Sequence, residues 1–133
     1  MGIGYVTIGA KGSDASGKFY DAVMGAIGSE RKFRDGGWIG YGEVGAAGEG
    51  FAACHSFVCP PHDGKTASFG NGSMLAFLAQ SPDAVKAAHK AAMSNGGSDE
   101  GAPGFRPPEA KEGFYGAYFR DPTGNKICVF CKV

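Results

Sequence analysis

The chain repeats itself. Shifting its first part by 69 positions lays Tyr5 on Met74, Val6 on Leu75, Ile8 on Phe77, Ala22 on Ala91, Met24 on Met93 and Gly28 on Gly97, with no gap through the matched stretch. Self-similarity of this kind marks one supersecondary unit used twice, each copy completing the other's core. The first copy opens with residues 4–10, GYVTIGA, whose β-branched Val6, Thr7 and Ile8 favour a strand. Residues 73–79, SMLAFLA, are its counterpart.

A helix follows each strand. Phe19, Tyr20, Val23, Met24 and Ile27 form one stripe at 3.6 residues per turn, with Ser13 or Ser16 expected as N-cap and Gly28 as the stop. In the second copy Ser81-Pro82-Asp83 supplies an N-cap, a proline in the first turn and an acid beside the positive helix end. Val85, Ala88, His89 and Ala92 share one side of that helix, which is expected to end at Asn95-Gly96-Gly97. Residues 30–34, 38–44 and 51–58 read as strands of the first copy. Residues 60–71, with Pro60 and Pro61, read as a connection between modules 1–59 and 72–133 of a single domain. Residues 101–113 read as a loop with the makings of a lid, and within it Arg106 is the candidate anion contact. The chain closes on FYGAYFRDPTGNKICVFCK, two apolar runs at 115–120 and 126–132 around a turn built from proline, glycine and asparagine. This is the pattern of a β-hairpin.

Charge and length exclude some functions. At 133 residues the chain has the size of one domain, and its 13 basic and 13 acidic side chains are scattered, which disfavours nucleic acid or an anionic membrane as partner. No apolar run approaches the ~18 residues of a membrane span, and the N-terminus has no charged segment leading into an apolar core. Cys54, Cys59, Cys128 and Cys131 are expected as free thiols of a cytoplasmic protein.

The segment YGAYFRDPTGN running into a last short strand resembles the closing signature of the vicinal oxygen chelate superfamily, which includes glyoxalases, bleomycin-resistance proteins and extradiol dioxygenases. The resemblance extends over the duplicated strand and helix units. It implies an α+β fold of two tandem βαβββ modules forming an open curved mixed β-sheet, with helices on the outer face and a ligand in the concavity. It also implies a homodimer. In metal-dependent relatives, two histidines and one glutamate would typically stand at the positions held here by Tyr5, Met74 and Cys128. Phenol, thioether and thiol suit a hard divalent ion poorly, so neither metal nor other cofactor is expected.

Strand alternation puts Tyr5 with Thr7, Met74 with Ala76 and Cys128 with Phe130. These six, with Phe57 and Tyr115, are the expected lining of a small-molecule cavity. His55 and Ser56 are alternative members, because the facing of 51–58 is not decided by its pattern, and Trp38 suits either core or cavity. Were there catalysis, Tyr5 would be the proton donor or Cys128 the thiolate. Two alternatives stand beside this reading. One is a metal-dependent lyase or dioxygenase drawing donors from His55 or Glu43, and the other is a drug-sequestering protein. Cys54, His55, Cys59 and His62 have ligand-like spacing, but strand neighbours point to opposite faces and would not converge.

Overall fold

The computed structural model describes residues 2–48 and 50–133. The first module runs β1 (Val6–Gly9), α1 (Ser13–Ala26), β2 (Ser29–Asp35), β3 (Trp38–Glu43), a single 3-10 turn (Gly50–Ala53) and β4 (Ser56–Cys59). The second runs β5 (Leu75–Leu78), α2 (Pro82–Ser94), β6 (Ser98–Phe105), β7 (Phe114–Arg120) and β8 (Lys126–Lys132). The 69-residue offset seen in the sequence carries Val6–Gly9 onto Leu75–Leu78 and the first residue of α1 onto the first of α2.

Each module makes its own four-stranded mixed sheet, ordered β1-β4-β3-β2 and β5-β8-β7-β6, with β1 and β5 at the edges. In both, the edge strand pairs parallel with the last strand of its module and the remaining pairs are antiparallel. The architecture is α+β and open. The two tandem βαβββ modules each contribute one mixed sheet, and among the described residues no ladder joins the two.

What unites the modules is the helix layer. Phe19, Tyr20, Val23 and Met24 of α1 and Val85, Ala88 and Ala92 of α2 are fully buried in one cluster with Ile8, Ile39, Tyr41, Val58, Phe119, Ile127 and Val129 from the sheets. Burying a large apolar side chain is worth roughly 1.5–3 kcal/mol, and these residues come from both halves. Each half-core is therefore closed by the other.

The closing turn adds a polar clamp. Asp121 Oδ1 accepts the backbone N–H groups of Thr123, Gly124 and Asn125, each at 2.9 Å. Its Oδ2 accepts from the Tyr20 hydroxyl at 2.7 Å and from Asn125 Nδ2 at 2.9 Å. Asn125 Nδ2 also donates to the Gly9 carbonyl, and Lys11 N–H donates to Thr123 Oγ1 at 3.0 Å. The Asp-Pro-Thr-Gly-Asn turn thus fastens the second module to the end of β1 and to α1.

Three local expectations change. α1 begins at Ser13 with Gly12 at the N-cap and no side-chain cap; Ser16 lies buried inside the helix. Residues 51–58 divide into the 3-10 turn and a short β4. Residues 98–105, read in part as loop, form β6 against β7 with register shifts around Gly101, leaving 106–113 as the connection. In α2 the Ser81 Oγ accepts from Ala84 N–H at 3.1 Å, as the Ser-Pro-Asp pattern requires.

Candidate functional site

Alternation along the strands gives each sheet two unlike faces. One packs on the helices; the other is free of them. On the first sheet the helix-free face carries Tyr5, Thr7 and Phe57, since Ile8, Ile39 and Val58 point into the core. Phe57 is buried all the same, because the 3-10 turn lays Phe51 over it with ring centroids 4.3 Å apart. Tyr5 stands edge-on to both Phe51 and Phe57 at 5.3 Å, and Phe33 and Trp38 pack around Phe57 at 5.9 and 5.7 Å. The facing of this strand is therefore decided by tertiary packing: Phe57 lies on the helix-free side, Ser56 and Val58 on the other.

On the second sheet the helix-free face carries Met74, Ala76, Leu78, Cys128 and Phe130. Phe130 is stacked on Phe114 at 5.2 Å. Tyr115 is on the opposite face, buried with the core and edge-on to Phe105, because it alternates with Phe114 and Gly116. Its expected place in the cavity is corrected accordingly. Tyr118, opposite Cys128 on β7, takes the helix-free position, with Arg106 and Lys126 lying 5.6 and 5.7 Å from its ring centre. Sequence reasoning missed Tyr118, although its place two residues after Gly116 in the signature segment was a usable signal. Arg106 donates to the Ala102 and Phe105 carbonyls, which holds it folded along β6.

Two grooves separate β1 from β5. The larger, of about 720 Å³, is lined by Val6, Ser29, Glu43, His55, Ala76 and Phe77 among others. The second, of about 570 Å³, includes Thr7, Phe69, Met74, Asn125 and Lys126. Neither is lined by Tyr5 or Cys128. Within one chain the two helix-free faces stay on separate sheets, and Tyr5, Met74 and Cys128 share neither groove.

His55 sits just before β4, half-buried, with Nδ1 sharing a 2.7 Å hydrogen bond with Ser56 Oγ and Nε2 a 3.1 Å bond with Ser29 Oγ. Burial pushes its pKa below the ordinary imidazole value, opposed by the Glu43 carboxylate. Burial thus favours the neutral form of the ring, and both ring nitrogens are engaged. Burial likewise pushes the Cys128 thiol up, against the opposing pull of Tyr118, Arg106 and Lys126. Cys54, Cys59 and Cys131 are raised by burial too.

A protonated thiol is a weak ligand and a weak nucleophile. Phenol, thioether and a protonated thiol are all poor donors for a hard divalent ion. Among the described residues no three His, Cys, Asp or Glu side chains are grouped to hold a metal ion. His89, on the apolar stripe of α2, pairs with Asp99 at 2.9 Å and rests against Phe119.

The family model for the Glyoxalase/Bleomycin resistance protein/Dioxygenase superfamily matches residues 2–129. The chain belongs to this superfamily. A glyoxalase/bleomycin resistance protein from Albidiferax ferrireducens is 36% identical, with a TM-score of 0.81 over 98% of both chains. A glyoxalase/bleomycin resistance protein/dioxygenase family enzyme from Burkholderia phytofirmans shares 20% identity and a TM-score of 0.65 over the whole of both chains. A glyoxalase-related enzyme from Fulvimarina pelagi shares 18% identity and a TM-score of 0.68 over 96% of this chain and 86% of its own. These last two likenesses are of fold alone. No curated protein matches the chain. Among the described residues no helix is long and apolar enough to cross a membrane.

Proposed function

We propose that this superfamily member binds a small, largely apolar organic molecule against the helix-free sheet faces, as a cytoplasmic homodimer and without a catalytic metal. The observation that carries the reading is the state of those faces and their edges. Tyr5, Met74 and Leu78 are 51, 44 and 66% exposed, on or beside β1 and β5, the edge strands of their sheets. Exposed apolar side chains beside open strand edges are features that proteins cover, by a partner or a ligand. A second copy would place the first sheet of one protomer beside the second sheet of its partner and bring Tyr5 toward Met74 and Cys128. Aromatic walls with a few hydroxyls then hold the ligand by stacking and burial.

The metal-free part rests on donor chemistry: phenol, thioether and a protonated thiol. The test is sedimentation velocity combined with a thermal-shift screen of small aromatic compounds. A dimer whose melting temperature rises with a subset of compounds is expected, and Ala76→Arg, which puts a charge on the helix-free face of β5, removes the rise. A monomer that answers to no compound would overturn the reading. Calorimetric titration with divalent metal is expected to show no stoichiometric site.

A further inference from the structure

A cleft opens on the helix-free side of the first sheet. It measures about 240 Å³ and is lined by Phe33, Asp35, Trp38 and Phe51. The hairpin register explains why they meet: Asp35 lies opposite Trp38 and Phe33 opposite Gly40, so all point to the helix-free face. Phe33 and Phe51 stand at 88° with centroids 5.9 Å apart, two walls at a right angle. Phe57 closes the back, stacked on Phe51 and tilted at 58° to Trp38. Gly40 leaves room for this, since a Cβ there would come within 2.8 Å of the Phe57 ring. The carboxylate of Asp35 is exposed and forms no ion pair among the described residues. Of the neighbouring basic residues, Lys32 is engaged by Glu30 at 3.5 Å, and Arg34 alternates to the other face.

We propose that this cleft is an aromatic cage for a methylated ammonium group, with Phe33, Trp38 and Phe51 as its walls and Asp35 as its counter-charge. Ring faces attract a weakly hydrated cation, and a carboxylate at the rim selects the charge over a neutral group of the same shape. A cleft of this size takes a trimethylammonium head and leaves the remainder of the ligand outside. All four residues come from one module, so the site does not depend on the two sheets forming a shared cavity.

The experiment is calorimetric titration of the whole protein with choline and with its neutral carbon isostere, in which a tert-butyl group replaces trimethylammonium. Choline is expected to bind at least about tenfold more tightly than the isostere, a difference of about 1.4 kcal/mol. Asp35→Asn, at an exposed position, is expected to remove most of that preference, and Trp38→Leu to weaken choline by about tenfold or more. Equal affinity for both compounds, no binding of choline, or an unchanged preference in Asp35→Asn would each overturn the proposal. Because choline is read directly, failure here leaves the dimer and the aromatic-compound screen untouched, and the reverse also holds.

Discussion

Tyr20 and Tyr41 show how much a single hydroxyl can decide. Both are fully buried, and each donates to a carboxylate, Asp121 for Tyr20 and Asp21 for Tyr41, at 2.7 Å. Burial first, and the carboxylates second, push both pKa values above the ordinary 10. The folded chain keeps two protons that the unfolded chain releases above that pH. The stability these two hydroxyls contribute is therefore fully present below pH 10 and falls as pH rises beyond it, and urea midpoints measured across this range are expected to drop less steeply in Tyr41→Phe. Asp121 is the other residue of consequence. Asp121→Ala strands three backbone donors and the Tyr20 hydroxyl, and is expected to cost on the order of 3 kcal/mol in denaturant unfolding. The thiols give a third prediction. Cys54, Cys59, Cys128 and Cys131 are 8, 5, 1 and 2% exposed, so a thiol reagent at neutral pH is expected to modify the native protein slowly and all four in denaturant.

Among the elements, the 3-10 turn matters most to the site and owes its position to glycines in β3. A Cβ on Gly42 would collide with the Ala53 carbonyl, and one on Gly40 would come within 2.6 Å of Cys54 Sγ. The turn lies close on β3 because both are glycine, and that closeness lets Phe51 cover Phe57. Gly42→Ala is expected to expel the turn, lower stability by about 2 kcal/mol and red-shift the emission of Trp38, the one tryptophan. The α2 cap is a milder case: Ser81→Ala is expected to cost about 1 kcal/mol, read from the urea midpoint.

At the scale of the molecule, the helix layer does the joining and the sheets stay apart. Mutations in that layer, such as Val85→Ala, are expected to weaken both modules in one cooperative transition. On the proposed reading, exposed apolar residues along the edge strand β5 act in assembly. Leu78→Asp replaces a side chain that the single chain leaves exposed, so sedimentation is expected to move toward monomer with the circular dichroism of the fold unchanged.

Periodicity alone determined the duplicated strand and helix units, the closing hairpin and the cap at Ser81, because each follows from local spacing and turn chemistry. It also placed Tyr5, Thr7, Met74, Ala76, Cys128 and Phe130 on their faces, since alternation is a property of the strand itself. Tertiary structure decided the rest. β6 is a strand only because β7 supplies its partners, as a stretch holding Gly101, Pro103 and Gly104 has little tendency of its own. Tyr115 turned to the core through its register with Cys131, and the facing of Phe57 waited on Phe51 folding back over it. Which faces meet is a matter of packing between modules, where burial is won by contacts far apart in the chain and leaves no spacing to read.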